Sequence, residues 1–159
     1  VNKTQVGIIG LVTVAAVSIA VYLWKYEAWI AIPKAREPLM TYLKDPLSAQ
    51  FRNEHVAPSG ALCGEVNSKN SMGGYVGFKR YILAGAESNY LEDGGTLGRA
   101  STADIIMLLD EETAVAKRFV DFRKDNPDFP VPSESKRTEM AAKNFFDHKW
   151  EALCGTKGT

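Results

Sequence analysis

Three consecutive runs decide how this chain folds: Phe51–Gly60 FRNEHVAPSG, Ala61–Asn70 ALCGEVNSKN and Gly74–Gly85 GYVGFKRYILAG. The first and third mix β-branched, aromatic and polar residues over a strand's length, and the second mixes aliphatic and polar ones. Turn chemistry separates them, Pro58-Ser59-Gly60 in one case and the Asn67 to Gly74 stretch in the other. Short runs of this kind punctuated by Pro, Gly, Asn and Ser predict an antiparallel meander. At a period of two, Ala61, Cys63 and Glu65 fall on one face of the second run, with Leu62 and Val66 on the other. In the third run, Val76, Phe78, Arg80 and Ile82 oppose Tyr75, Lys79, Tyr81 and Leu83. Neither face is purely polar, so the sheet is expected to be partly covered on both sides.

C-terminal to the meander, residues 84–103 (AGAESNYLEDGGTLGRASTA) read as a loop. Asp104 to Leu109 reads as a fourth strand, although a helix starting at Ser101 also fits an apolar run this short. Asp110 is then a cap for a helix over Glu111 to Lys124, with Val115, Phe119 and Phe122 at helical spacing. A last helix is expected after Ser133, aligning Ala142, Phe146, Trp150 and Cys154 on one stripe and stopping at Gly155.

On the N-terminal side, Glu37-Pro38 and Asp45-Pro46 each read as a cap followed by the first residue of a helix. A helix over Pro38–Lys44 follows, offering Leu39, Tyr42 and Leu43 to the domain, then one turn over Pro46–Gln50. Further back, VGIIGLVTVAAVSIAVYLW runs from Val6 to Trp24, 19 residues without a charge. As a helix it is about 28 Å long, close to the ~30 Å hydrocarbon thickness of a bilayer. Tyr22, Trp24, Tyr26 and Trp29 gather where the run ends, as aromatic rings do at a headgroup boundary. The run is read as a transmembrane anchor. A cleaved signal peptide with a small-x-small site at Ser18-Ile19-Ala20 is the alternative, but its apolar region would be long. Lys25, Lys34 and Arg36 outnumber Lys3 and favour a cytoplasmic C-terminal side, whereas a long following domain translocates regardless of charge. The resulting domain plan is a cytoplasmic N-terminus over 1–5, an anchor over 6–24, a juxtamembrane helical segment over 25–50 and a soluble α+β domain over 51–159.

Composition narrows the function classes. With 19 basic and 19 acidic side chains among 159 residues, the chain carries no net charge and lacks an aromatic-studded basic stripe, so nucleic-acid binding is not expected. His55 and His148 have neither His-x-x-x-His nor paired-Cys spacing, so no metal site is read, and no cofactor is called for. Gly94 to Arg99 is glycine-rich but lacks the Lys-Ser/Thr of a phosphate loop. Charge is uneven: Glu87 to Glu112 holds seven acids against Arg99, while Lys34 to Arg80 holds seven bases against four acids. Glu65, on the Cys63 face, needs a partner if helices cover it, and Arg52 or Arg80 on neighbouring strands can supply one. Asn67, Asn70, Ser71 and Tyr75 form an amide- and hydroxyl-rich turn. It reads either as turn chemistry or, with Glu65, as a partner-binding surface.

The stretches DPLSAQFRN (45–53), CGEVN (63–67) and KNSMGGYVGF (69–78) carry a resemblance. They are similar to the pattern of a loose group of uncharacterised proteins of Gram-negative bacteria and their prophages. Those proteins are small, bear a signal or anchor segment, and close on a helix ending in Trp-x-x-x-Cys, as Trp150 to Cys154 do here. The likeness covers residues 43–78 and, more loosely, the last helix; residues 84–133 match nothing in it. It implies an architecture and a compartment, and no catalytic residue carries over. It also bears on Cys63 and Cys154, 91 residues apart, whose bridging would tie the end of the chain to its sheet. Loop-closure entropy gives such a bridge about 4 to 5 kcal/mol, and disulfides persist in the periplasm rather than the cytosol. Two separate buried thiols in a cytosolic domain are the alternative, with Cys63 then open to act as a nucleophile served by His148.

The expectation is an inner-membrane, single-pass protein with a periplasmic α+β domain of three or four antiparallel strands and C-terminal helices. Its partners are the lipid bilayer and an envelope protein, and its role is binding or accessory, associated with a mobile element. A periplasmic hydrolase is the competing reading. So is a structural subunit of a membrane assembly, packed through Gly7, Gly10 and Ala15.

Overall fold

In the computed structural model, which describes residues 14–22, 25–26, 30–85, 88–92 and 95–155, five strands pair antiparallel in sequence order. They are β1 (Asp45–Val56), β2 (Leu62–Lys69), β3 (Lys79–Leu83), β4 (Asn89–Leu91) and β5 (Gly95–Thr96). Two helices follow, α1 (Thr102–Asp125) and α2 (Glu134–Cys154). The fold is α+β, with a meander and C-terminal helices as the sequence predicts.

The β2 register explains why so few residues suffice for a core. Cys63 stands beside Ile82 and Glu65 beside Arg80 on the face toward α2, while Leu62, Gly64 and Val66 pair with Leu83, Tyr81 and Lys79 on the other. The first face closes over Ala57, Ala61, Cys63, Ile82, Tyr90, Phe145, Phe146 and Cys154, with Met107, Leu108 and Trp150 packed against them. On the second face Tyr81 is fully buried, edge-on to Phe51 and hydrogen-bonded to Glu54. Gly64 has no room for a side chain, since a Cβ there would lie 2.8 Å from Glu54 Cγ and 2.9 Å from the Tyr81 hydroxyl. Burial on both faces agrees with the mixed polarity of the strands.

Four expectations are corrected. Pro46–Gln50 is not a helical turn but the first half of β1. The cap signal at Asp45 is physically present, since its carboxylate accepts from Ser48 N (3.3 Å), yet Ser48 Oγ then accepts from Lys69 N (2.9 Å) and draws the chain into the sheet. The register shifts between Asp45 and Gln50, so the strand passes Pro46, which has no N–H to donate, at an irregular step. The helix expected over Pro38–Lys44 is a single turn, Glu37–Met40; Leu39 is fully buried, Leu43 half-buried and Tyr42 exposed. The loop expected over 84–103 contains β4 and β5, which at three and two residues are too short to show a period.

The fourth correction concerns Asp104 to Leu109, which is not a strand but the first two turns of α1. Ser101 caps this helix, its Oγ accepting from Asp104 N at 3.1 Å, and Asp110 lies inside it rather than at its start. Met107 and Leu108 face the core while Ile105, Ile106 and Leu109 are exposed, a one-sided burial that a covered strand would not give. The third run pairs only from Lys79; before it, Tyr75 makes one bridge to Lys69, and Gly77 takes a positive φ of 94°. The last helix begins after Ser133, whose hydroxyl accepts from Lys136 N, and ends at Gly155 with φ 71°.

The chain divides into two units, Val1–Glu37 and Pro38–Thr159. In the first, residues 14–22 are helical and exposed, and a short helix covers Ile32–Ala35 with a proline in its first turn. The larger part of the anchor expected over 6–24, and the N-terminus over 1–5, lie outside the described residues. Among the described residues no helix is long and apolar enough to cross a membrane.

Candidate functional site

Glu65 and Arg80 stand on the α2-facing side of β2 and β3, the same face as the disulfide. Cys63 Sγ and Cys154 Sγ are bonded, with Cα atoms 5.9 Å apart, so the last residue of α2 is tied to the sheet. Beside the bridge, Ser59 Oγ donates to Leu153 O at 2.5 Å and binds the same helix end to the β1–β2 turn. Neither cysteine is free. The nucleophile reading of Cys63 with His148 is therefore set aside, and His148 instead meets Glu111 of α1 through Nδ1 at 3.0 Å.

Glu65 finds the partner its position demands. Arg52 reaches its Oε2 with Nε at 2.7 Å and Nη2 at 2.5 Å, and Asn53 Nδ2 donates to Oε1 at 2.9 Å. Arg52 also lies flat over the Phe78 ring, 3.7 Å from its centre. The register shifts between Arg52 and His55, and within that step Asn53 takes a left-handed φ of 54°, rare for a residue with a side chain. Asn53, His55, Gly64, Glu65 and Trp150 thus line a cleft of about 160 Å³ beside the bridge. A carboxylate, an imidazole, an amide and an indole thus stand around one opening.

Asn67, Asn70, Ser71 and Tyr75 are not brought into this cleft. Asn67 Oδ1 accepts from Gly77 N, and Asn70 Oδ1 accepts from Met72 N and Gly74 N, closing the turn on itself. Tyr75 accepts from Gln50 Nε2 and donates to Ser48 O, which secures the turn against β1. Ser71 is exposed at the tip of the turn. These amides hold a connection together, the turn-chemistry reading of the sequence.

Two ionic clusters escaped the sequence reading. Arg80 Nη2 bonds Glu92 Oε1 and Asp147 Oδ1, each at 2.6 Å, and the guanidinium lies 5.0 Å from the Phe146 ring centre and 5.3 Å from that of Trp150. Glu92 raises the Arg80 pKa, outweighing burial, with Asp147 adding to it. On Asp147 burial pushes upward, but Lys143 and Arg80 together hold the carboxyl below its ordinary value. The second cluster is more enclosed: Lys149 Nζ sits 2.6 Å from Asp104 Oδ1, and the Tyr90 hydroxyl donates to both carboxylate oxygens at 3.2 Å. Burial opposes ionisation of Asp104, yet Lys149, Ser101 and Tyr90 lower its pKa overall, while Asp104 keeps that of Lys149 raised against burial. Sequence separations of up to 67 residues left no local signal for these pairs. Among the described residues no group of His, Cys, Asp and Glu is arranged to hold a metal ion.

Fold and site together define an α+β domain in which two C-terminal helices pack beside a five-stranded antiparallel meander, the second of them bonded to β2 by a disulfide. Against known proteins, no family model, no curated protein and no solved structure matches the chain.

Proposed function

We propose that the chain is a membrane-tethered domain of the Gram-negative periplasm, held at the inner membrane by its N-terminal segment and engaged in binding or accessory work on an envelope protein. The observation that carries this reading is the Cys63–Cys154 bridge, because such a bond persists only where thiols are kept oxidised. Support for the tether comes from the uncharged run 6–24. In its described part Val14, Val17, Ile19 and Val21 are all exposed, a costly display in water and a natural one in lipid. The likeness of residues 43–78 to small anchored proteins of bacteria and prophages supports a role connected with mobile elements. Within the domain, the Glu65 cleft is the recognition surface. Both Glu65 oxygens already take bonds from Arg52 and Asn53, which suits a fixed acceptor for a partner better than a hydrolase's proton donor.

The test combines thiol and topology measurements on membrane fractions. A mass-tagged maleimide should label the protein only after reduction, and protease added to spheroplasts should digest the domain. Free labelling of both thiols together with protection from protease would place the domain in the cytosol and overturn the proposal. For the cleft, Glu65→Gln and Trp150→Ala should reduce co-purification of an envelope partner while leaving the bridge intact. Unchanged recovery would remove the cleft from the partner surface.

A further inference from the structure

Trp150 lies one helical turn before Cys154, whose bond to Cys63 keeps that end of α2 at the sheet. Phe146, with ring centres 6.0 Å apart, and the Arg80 guanidinium at 5.3 Å pack against the indole. The ring is half-buried and forms part of the cleft lining together with Asn53, His55, Gly64 and Glu65. A large flat apolar group is therefore set beside polar ones at a single opening, the composition of a small-molecule site.

Charge at that opening is matched. Glu65, the carboxylate of the lining, is bonded by Arg52 at 2.5 Å, and Arg80, beside it in register, is bonded to Glu92 and Asp147. Glu54 is taken by Tyr81, and Glu151 does not line the opening. An anion would meet the Glu65 carboxylate and a cation the Arg52 guanidinium, so a neutral ligand fits best.

Hydrogen-bonding capacity, in contrast, is left over. Asn53 spends its Nδ2 on Glu65, and among the described residues its Oδ1 has no partner. His55 Nδ1 lies 3.3 Å from Asn53 O, and its Nε2 bonds no other described residue. The indole N–H of Trp150 likewise bonds none of them and, since no buried polar side-chain atom among them lacks a partner, it is open to solvent. One group accepts, one donates, and the imidazole nitrogen does either according to its tautomer. Hydroxyls, which donate and accept at one atom, match such a set. A pyranose carries several of them on a ring whose C–H faces lie flat against an aromatic surface. The cleft, about 160 Å³, has room for one such ring. Asn53 also keeps its left-handed φ of 54° here, and backbone strain of that kind gathers at ligand sites.

We propose that the cleft of Asn53, His55, Glu65 and Trp150 binds one neutral sugar ring of an envelope glycan, with the indole against its C–H face and Asn53 and His55 on its hydroxyls. The proposal rests on the reading of this cleft as the recognition surface, and it makes the envelope partner one that carries or holds such a glycan.

The test uses the full chain with W24F/W29F in a detergent without a sugar headgroup, so that Trp150 is the reporting indole. Methyl glycosides of N-acetylglucosamine, glucose, galactose and mannose are titrated, with glucosamine and glucuronate as cationic and anionic rings. A neutral glycoside should shift Trp150 emission saturably and bind about tenfold more tightly than either charged ring. Asn53→Gly, which suits the left-handed backbone, and His55→Ala should each weaken that binding about tenfold. Far-ultraviolet circular dichroism and thiol labelling check that fold and bridge are unchanged. Silence toward every neutral ring, tightest binding of a charged one, or wild-type affinity in both variants overturns the proposal. If no sugar binds while Glu65→Gln still reduces recovery of an envelope partner, the ligand class is wrong and the recognition surface stands. Sugar binding with recovery indifferent to Glu65→Gln overturns the protein-partner reading and leaves the sugar site in place, and failure of both measurements removes both.

Discussion

Cys63 enters the structure twice, as a fully buried residue of the central strand and as one end of the bridge to the last helical residue. Its partner lies 91 positions away, so the bond removes a large share of the freedom of the unfolded chain. The double variant C63A/C154A is expected to lose about 4 to 5 kcal/mol, read as a fall in the urea midpoint, with wild type under reductant matching it. Arg80 is the other residue on which many contacts converge: Glu92, Asp147 and two aromatic faces. Arg80→Ala leaves two carboxylates without their shared cation and should cost about 1 to 3 kcal/mol. Arg80→Lys should recover only part of this, because an ammonium cannot bond both acids and lie flat on the rings. Equal midpoints for the two variants would show that charge alone matters there.

At the scale of elements, the two long helices begin on serine caps that the sequence displays openly. Ser101→Ala and Ser133→Ala should each destabilise by about 1 kcal/mol in urea unfolding, with Asp and Asn replacements near neutral. Ser133 was legible because prolines isolate it from what precedes, PDFPVPS leaving no other start. Ser101 competed with a strand, since Ile105 to Leu109 is apolar at every position and carries no period. Only packing separates the two choices: a helix laid on the sheet buries Met107 and Leu108 and leaves Ile105, Ile106 and Leu109 outside. β1 shows the reverse case, a true local cap at Asp45 overruled by pairing with Lys69. Glu65 was readable as needing a cation because the strand period places it beside Cys63. That Arg52 takes the role while Arg80 goes to Glu92 and Asp147 depends on register shifts in β1 and on α2 crossing the sheet.

For the molecule as a whole, charge pairing sets the response to pH. Asp104 and Asp147 ionise more readily folded than unfolded, so their contribution is present above the ordinary carboxylate pKa of about 4 and disappears as pH falls through their lowered folded values. Stability should hold through neutral pH and fall in the acid range, and D104N/D147N should flatten that fall in urea midpoints measured down to about pH 2. Lys149 works oppositely: its raised pKa gives stability that is present below about pH 10 and is lost as pH climbs through the folded value. By itself the sequence determined the meander, the helix after Ser133, the demand of Glu65 for a partner and the apolar N-terminal run. Each follows from a period, a cap or a composition that operates over neighbouring residues. Only the tertiary structure decided the identity of Asp104 to Leu109, the short strands β4 and β5, and the ionic clusters around Arg80 and Lys149, whereas the Cys63 to Cys154 bridge it shows is the one expected from the sequence. Those depend on which distant surfaces meet, and burial free energy selects among local conformations that propensity leaves nearly equal.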